Sequence, residues 1–566
     1  MLKTKIVSSQ IKAFIDDSID SFAEYKKASA LLGERFSFQF LYIDEGESNL
    51  PLRPVCTLKI EGDLAPYITV RDVRSVPVER PVTKGRFDDQ YLRTTPGIYP
   101  DILTPLRYDG HFILSQDKLR SLWIEADIPN DFKGSGKLKL SMYFYSASIG
   151  DTGQAAVDTE TAIATHDFEI DIINAELPEQ KTMFTQWFYA DCLASFYNVK
   201  PWSDKHFEII ENFLKVYAKR GRNMVYTPVL TPALNISPPF FRNPCQLVDV
   251  YVNNGKYSFG FSNLDKWIDI LDRVGIKYLE VSHFFHQKPY EYCAKVYATV
   301  DGEYKLLFGW DTLALDKEYI SFLRQMIKAM VEHLKARGDD KRCYYHLADE
   351  PTPESLDHYL KEKEAIKDLL KDYPVMDALS EIEFYESGAV EIPVPVTSLI
   401  EPFLEKGVEN LWAYYACNEV IGYSNCYLAM PSWRTRSLGM QLYKFGLKGF
   451  LHWGFNYYNN RGSGDAINPY LDLSGEDWVC AGDTFMVYPD CDGNALESIR
   501  VMALDEAFQD IRAMELCEKY YSHKEVVAAI EEELGAEITF KRCALSEDEM
   551  LRIRGRVNKM IKEKLL

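Results

Sequence analysis

Two acids stand side by side at Asp349-Glu350 and are followed at once by Pro351. Neighbouring side chains on a strand point to opposite faces, so both reach one substrate only where the strand ends and the backbone turns. Pro351 marks such a point, since it removes a backbone donor and is expected to hold Glu350 extended. His346 and Ala348 share parity with Glu350, which would aim Glu350 over the strand ends with Asp349 beside it on a splayed backbone. A glutamic acid there is a candidate general acid, provided that apolar walls and a neighbouring carboxylate raise its pKa. The tripeptide alone is also common at helix starts, and Thr352-Pro353-Glu354 does begin a helix.

The elements that must position this pair begin near residue 183. Amphipathic helices recur there, each closed by a glycine and followed by an apolar strand. Ser203 can cap one helix, with Phe207, Ile210, Leu214 and Tyr217 on a single face before Gly221. Further helices end at Gly275, Gly338, Gly407 and Gly446. The strands expected are 184–189, 224–228, 278–283, 343–350, 375–379, 411–415, 450–456 and 484–488. Eight β–α units read as a (β/α)8 barrel of the TIM type, with the hairpins 248–261 and 294–309 as insertions. An open doubly wound sheet would show a glycine-rich turn after its first strand, and Gln186-Trp187-Phe188-Tyr189-Ala190-Asp191 has none.

In a barrel the site lies at the C-terminal ends of the strands. That position selects Trp187 and Asp191, then Glu280, His283 and His286, then Tyr414, Tyr415 and Asn418, then His452, Trp453 and Asn456, and finally Asp490. Aromatic faces suit the C–H faces of sugar rings, and amides and carboxylates suit hydroxyls. Buried aromatics are also ordinary core. His283 and His286, joined by His346 or Glu280, would be a metal set, but no helix aligns them and no metal or other cofactor is expected. No GxSxG elbow supports a serine hydrolase, and Cys192 reads as a core thiol.

Residues 1–178 alternate in short runs such as Phe36-Ser37-Phe38-Gln39-Phe40 and Leu138-Lys139-Leu140-Ser141-Met142, separated by polar turns. They read as an N-terminal β-sandwich domain. Gly134-Ser135-Gly136-Lys137 looks like a phosphate loop but lacks the following Ser or Thr and helix, so it is expected to be a turn. The catalytic barrel would span 179–522, and 523–566 would be a C-terminal helical extension packed on it.

The net charge of −21 argues against nucleic acid or an anionic membrane as partner, since those need clustered Lys and Arg. Eleven cysteines without a CxxC pair suit a reducing compartment. The first residues contain no apolar signal-like stretch and no run is long enough to span a membrane, so a cytoplasmic location is expected. Homo-oligomerisation is left open.

Several blocks together are more specific than any one of them. The runs 186–191, His346–Pro351, Leu451-His452-Trp453-Gly454-Phe455-Asn456-Tyr457, Gly482-Asp483-Thr484-Phe485-Met486-Val487-Tyr488-Pro489 and Ser498-Ile499-Arg500, with Ser121-Leu122-Trp123-Ile124 in the first domain, resemble glycoside hydrolase family 123. These are β-N-acetylgalactosaminidases. The resemblance implies a retaining, exo-acting hydrolase of terminal β-linked GalNAc on glycans or glycosphingolipids. It also implies substrate-assisted catalysis, in which the 2-acetamido oxygen attacks the anomeric carbon and gives an oxazolinium intermediate. Glu350 would then be the general acid/base, and Asp349 would orient and stabilise the acetamido group. Tyr414, Trp453, Asn456, His283, Trp187 and Tyr415 are carried as substrate-binding residues from their strand positions. Two other readings stay open: a barrel glycosidase with Asp465, Asp490 or Glu280 as nucleophile, and a non-catalytic carbohydrate-binding protein.

Overall fold

The alternating N-terminal runs form strands whose inward side chains meet in one core. A computed structural model describes residues 1–46, 54–107, 110–146, 158–286 and 291–565. Its contacts group Met1–Gln180, Ile421–Lys444 and Leu496–Leu566 into one unit, and Lys181–Val420 with Phe445–Ala495 into a second. The fold is mixed α/β, with a sheet-rich N-terminal region and a largely parallel sheet in the second unit.

The first unit holds two five-stranded sheets. One runs Leu2–Ser8, Arg35–Asp44, Arg120–Asp127, Ile68–Val78, Gly97–Pro105, antiparallel throughout. The other orders Lys27–Leu32, Ala164–Glu176, Lys137–Ser146, Val55–Glu61 and Phe112–Ile113. Alternate residues of both, among them Phe38, Phe40, Ile124, Leu140 and Phe168, share one apolar cluster, and the Phe38 and Phe168 rings stack at 4.4 Å. Gly136 leads directly into the strand Lys137–Ser146, and no helix follows it. A Cβ at Gly136 would lie 1.9 Å from the Ile170 carbonyl oxygen, so the glycine serves a close backbone approach and not a phosphate.

The C-terminal helices belong to this unit, where the sequence had placed them against the barrel. The helix Glu547–Glu563 buries Met550, Ile553, Val557 and Ile561. Its Asn558 Nδ2 donates to the Ser29 carbonyl at 3.1 Å, and Lys562 pairs with Asp171 at 2.6 Å, which ties it to the strands Lys27–Leu32 and Ala164–Glu176. Arg554 spans Glu34 at 2.6 Å and Asp510 at 3.1 Å, and Asp510 also receives Arg436.

In the second unit the parallel strands are β1 (Met183–Gln186), β2 (Met224–Thr227), β3 (Tyr278–Val281), β4 (Cys343–Tyr345), β5 (Met376–Ala378), β6 (Ile392–Val394), β7 (Trp412–Tyr414) and β8 (Gly449–His452). Six of them form one sheet in the order β4-β3-β2-β1-β8-β7, and β5 pairs with β6. Single parallel bridges join Tyr345 to Val375 and Val396 to Tyr414. The helices between them follow the expected signals. Ser203 caps Asp204–Lys219, and the left-handed Gly275 and Gly338 close Ser262–Val274 and Lys317–Arg337. The two expected hairpins form a separate four-stranded sheet.

One strand differs. The run 484–488 is not part of the parallel sheet; it lies antiparallel to the segment after β8, with Tyr457 N–H on the Thr484 carbonyl and Met486 N–H on the Phe455 carbonyl. Its side chains are buried on every face, and such a run looks the same as a parallel strand in sequence. β6, three residues around Pro393 that carry no alternation, is a parallel strand that the sequence did not predict.

Arg554→Ala should strand Glu34 in the first unit without its cation. Calorimetric unfolding of the whole chain should show a loss of about 3 kcal/mol, with Arg554→Lys losing less.

Candidate active site

The chain leaves β4 at Tyr345 and reaches Glu350 with φ +46°, in the left-handed region. This corrects the extended conformation expected before proline. An L side chain is disfavoured there by about 1–2 kcal/mol, and a following proline adds to the restriction. Two contacts hold it. The Glu350 N–H donates to the Ala378 carbonyl at 2.9 Å, at the end of β5, and the Tyr414 hydroxyl at the end of β7 donates to Glu350 Oε1 at 2.7 Å. The strand expected to run to Glu350 ends at Tyr345, so alternation does not reach the pair, and Asp349 and Glu350 both line one cavity of about 280 Å³. Asp349 is buried and Glu350 half-buried. Burial, and then the charge of Glu350, push the Tyr414 phenol well above its ordinary pKa, so it stays protonated and donates.

Behind this cavity lies a buried charge sandwich. His346 donates from Nε2 to Glu280 Oε1 at 2.8 Å and from Nδ1 to Asp377 Oδ1 at 2.9 Å. Burial alone would lower the His346 pKa, but the bonds to Asp377 and Glu280 prevail and raise it to about 10. Asp377 also accepts the Tyr359 hydroxyl and the Leu347 N–H. Glu280 accepts Trp187 Nε1 at 2.6 Å and the Thr185 hydroxyl, so the same imidazolium indirectly fixes an indole that lines the cavity. His283 stacks on His346 at 4.3 Å, and burial followed by that positive charge drives its pKa well down. His283, His346 and Asp377 bring ligand atoms within 4.8 Å of one another, but both nitrogens of His346 are engaged by carboxylates.

The opposite wall comes from the end of β8. Trp453 lines the cavity and donates Nε1 to Asp483 Oδ2 at 3.2 Å. A Cβ at Gly454 would sit 2.4 Å from the Asp483 carbonyl oxygen, so this glycine lets the 483–484 backbone close in and deliver the Asp483 carboxylate. Trp478 stands 5.3 Å from Trp453, ring to ring, and Arg461 lies over Trp478.

Five of the eight expected site residues line the cavity: Asp349, Glu350, Tyr414, Trp453 and Trp187. Three do not. Asn456 is fully buried, accepting from the Tyr189 N–H at 2.8 Å and donating to its carbonyl at 3.1 Å; it pins the turn after β1. Tyr415 follows β7 and packs on Phe450 at 4.9 Å. His283 lies in the layer beneath. None of the three alternative nucleophiles lines the cavity: Asp465 accepts the Ser463 hydroxyl at 2.8 Å, Asp490 accepts N–H groups of its own turn, and Glu280 is taken up as above. Asp483, Trp478 and Arg461 were not expected. Asp483 sits in a quoted motif, but as part of an apolar run; Trp478 and Arg461 sit in turns that carry no periodicity.

Removing the imidazolium leaves two buried carboxylates facing each other. His346→Gln should cost roughly 3–5 kcal/mol in urea unfolding. The folded pKa lies above the ordinary 6.5, so this stabilisation is full below about pH 6.5 and lost as pH rises toward about 10. Wild-type stability should fall across that window, and the variant should fall less.

The catalytic-domain model of glycoside hydrolase family 123 matches residues 187–517. Among solved structures, a family 123 glycoside hydrolase from Clostridium perfringens superposes with a TM-score of 0.75 at 17% identity, over 100% of this chain and 99% of that one. A family 5 mannosidase from Rhizomucor miehei reaches a TM-score of only 0.34 at 12% identity, over 59% of this chain and 93% of that one. No curated protein sequence is matched. The Clostridium likeness speaks for the fold, and the family match covers more than half of the chain and all five lining residues: the protein belongs to glycoside hydrolase family 123 and is a hydrolase of carbohydrate substrates.

Proposed function

We propose that the protein is a retaining, exo-acting β-N-acetylgalactosaminidase that releases terminal β-linked GalNAc by substrate-assisted catalysis. The observation that carries this reading is the left-handed Glu350, which turns two consecutive acids into one sugar-sized cavity. Glu350 protonates the glycosidic oxygen as the C1–O bond breaks. The carbonyl oxygen of the substrate's own acetamido group forms a bond to C1, giving a cyclic oxazolinium. Asp349 accepts the acetamido N–H and stabilises the positive charge that develops on it. Glu350, now ionised, takes a proton from water as that water attacks C1 and reopens the ring, with overall retention. Tyr414 holds the Glu350 carboxylate through its hydroxyl, and Trp187 and Trp453 wall the sugar.

The same reading takes β1–β8 as a closed (β/α)8 barrel, supported by the two single bridges that tie the β5–β6 pair to β4 and β7. It takes the two N-terminal sheets as a β-sandwich, supported by their shared core. The Clostridium perfringens relative is described for glycolipid glycan hydrolysis, which favours a glycosphingolipid substrate here.

One observation favours a second reading. Asp483 is a third carboxylate in the cavity lining and would be the protein nucleophile of a two-carboxylate mechanism. The two readings separate on nitrophenyl glycosides. The substrate-assisted enzyme cleaves the β-GalNAc compound and leaves the β-galactoside intact, because the latter has no acetamido group. Glu350→Gln should lower kcat by about 10²–10⁴ on the β-GalNAc compound, and Asp349→Asn should do likewise. GalNAc-thiazoline, which mimics the intermediate, should inhibit. Turnover of the β-galactoside with indifference to the thiazoline would transfer the role to Asp483.

A further inference from the structure

Arg461 is the one cationic side chain among the described residues that line the cavity, where it stands with three carboxylates, Asp349, Glu350 and Asp483. It is exposed, and no carboxylate among the described residues forms an ion pair with it. Neutralising the catalytic acids is therefore not its task. Glu350 already receives the Tyr414 hydroxyl and Asp483 receives the Trp453 indole.

Its backbone is nevertheless held firmly. Gly462 N–H donates to the Asn235 carbonyl at 3.2 Å, and Ser237 N–H donates back to the Gly462 carbonyl at 3.0 Å. The Tyr457 hydroxyl reaches the Asn460 carbonyl at 3.0 Å. The guanidinium lies over the Trp478 ring, 5.3 Å from its centroid. A cation over a ring is attracted through its face without using its N–H donors, and the planar fork of arginine matches the geometry of an oxyanion.

We propose that Arg461 is a specificity-determining residue that selects glycans carrying an oxyanion, a sulfate ester or a carboxylate, close to the bond being cleaved. The proposal rests on the hexosaminidase reading and adds an acidic substrate class to it. A chain of net charge −21 with three acids in its cavity repels anionic glycans. A positioned, unpaired arginine at that cavity is what admits them, and it admits them in one orientation.

The test uses the full chain, wild type, Arg461→Ala and Arg461→Lys. The substrates are nitrophenyl β-GalNAc, its sulfate ester, and a disaccharide of β-GalNAc linked to glucuronic acid. The readout is kcat/KM for each anionic compound relative to the neutral one. At least one of these ratios should exceed about ten in the wild type and fall at least tenfold in Arg461→Ala, with Arg461→Lys between them because it keeps the charge and loses the fork. Which arm responds tells sulfate from carboxylate. The wild-type ratio should also decline as salt is raised, and that of Arg461→Ala should not. A wild type that prefers the neutral compound, or ratios unchanged by the substitution, overturns the proposal. Failure to cleave any of the three refutes the hexosaminidase reading instead. Calorimetric binding of GalNAc sulfate and of glucuronic acid then decides the anion claim by itself: binding lost in Arg461→Ala upholds it, and absent or unaltered binding overturns it.

Discussion

Two side chains adjacent in sequence must face the same way, and a regular strand forbids it. The chain meets this constraint with a left-handed glutamate in front of a proline, a conformation that costs free energy and survives only where its surroundings over-determine it. The surroundings here are the parallel strands themselves. β5 ends in the carbonyl that accepts the Glu350 N–H, and β7 ends in the hydroxyl that donates to its carboxylate. Neither contact is local in sequence. The acid pair is thus placed by contacts 28 and 64 residues downstream of Glu350, and any shift of β5 or β7 would release the kink.

Electrostatics sets a second demand. Three acids line a cavity in an already acidic protein, and beneath them lie two more, Glu280 and Asp377. The buried His346 imidazolium balances the lower pair and is held by both. Charge and orientation are coupled through it. Glu280 can accept the Trp187 indole because its other contacts, His346 and Thr185, keep it in place. The cavity floor therefore owes its geometry to an ion network that never meets the sugar. A neutral residue in place of His346 would disturb the indole as well as the fold.

What could be read from the sequence follows from how local the determinants are. Helix caps and closing glycines at Ser203, Gly275 and Gly338 depend on a few neighbouring residues and were legible. So were the strand ends at Trp187, Tyr414 and Trp453, because hydrophobic runs and chain order fix them. The conformation of Glu350 was not legible, since it is imposed by Ala378 and Tyr414 across the sheet. Asn456 carries a polar side chain at a strand end, as a binding residue would, and nothing in its neighbourhood reveals that the Tyr189 backbone takes up both its donor and its acceptor. β6 is three residues around a proline, too short for any period. Asp483 was hidden because a backbone approach permitted by Gly454 brings it in from a run that reads as a strand.

Adjacency itself bears on mechanism. Retaining glycosidases with a protein nucleophile place two carboxyl groups about 5–5.5 Å apart, one on each face of the reacting bond. Consecutive residues have Cα atoms about 3.8 Å apart, and their side chains enter from one edge of the cavity. Asp349 and Glu350 are badly placed to flank a sugar ring, but well placed to address two neighbouring groups on the same side of it. The glycosidic oxygen at C1 and the acetamido nitrogen at C2 are such neighbours. A substrate that brings its own nucleophile on C2 removes the need for a carboxylate on the far face, and the pair is then free to do what its spacing allows: donate a proton to one atom and steer the next.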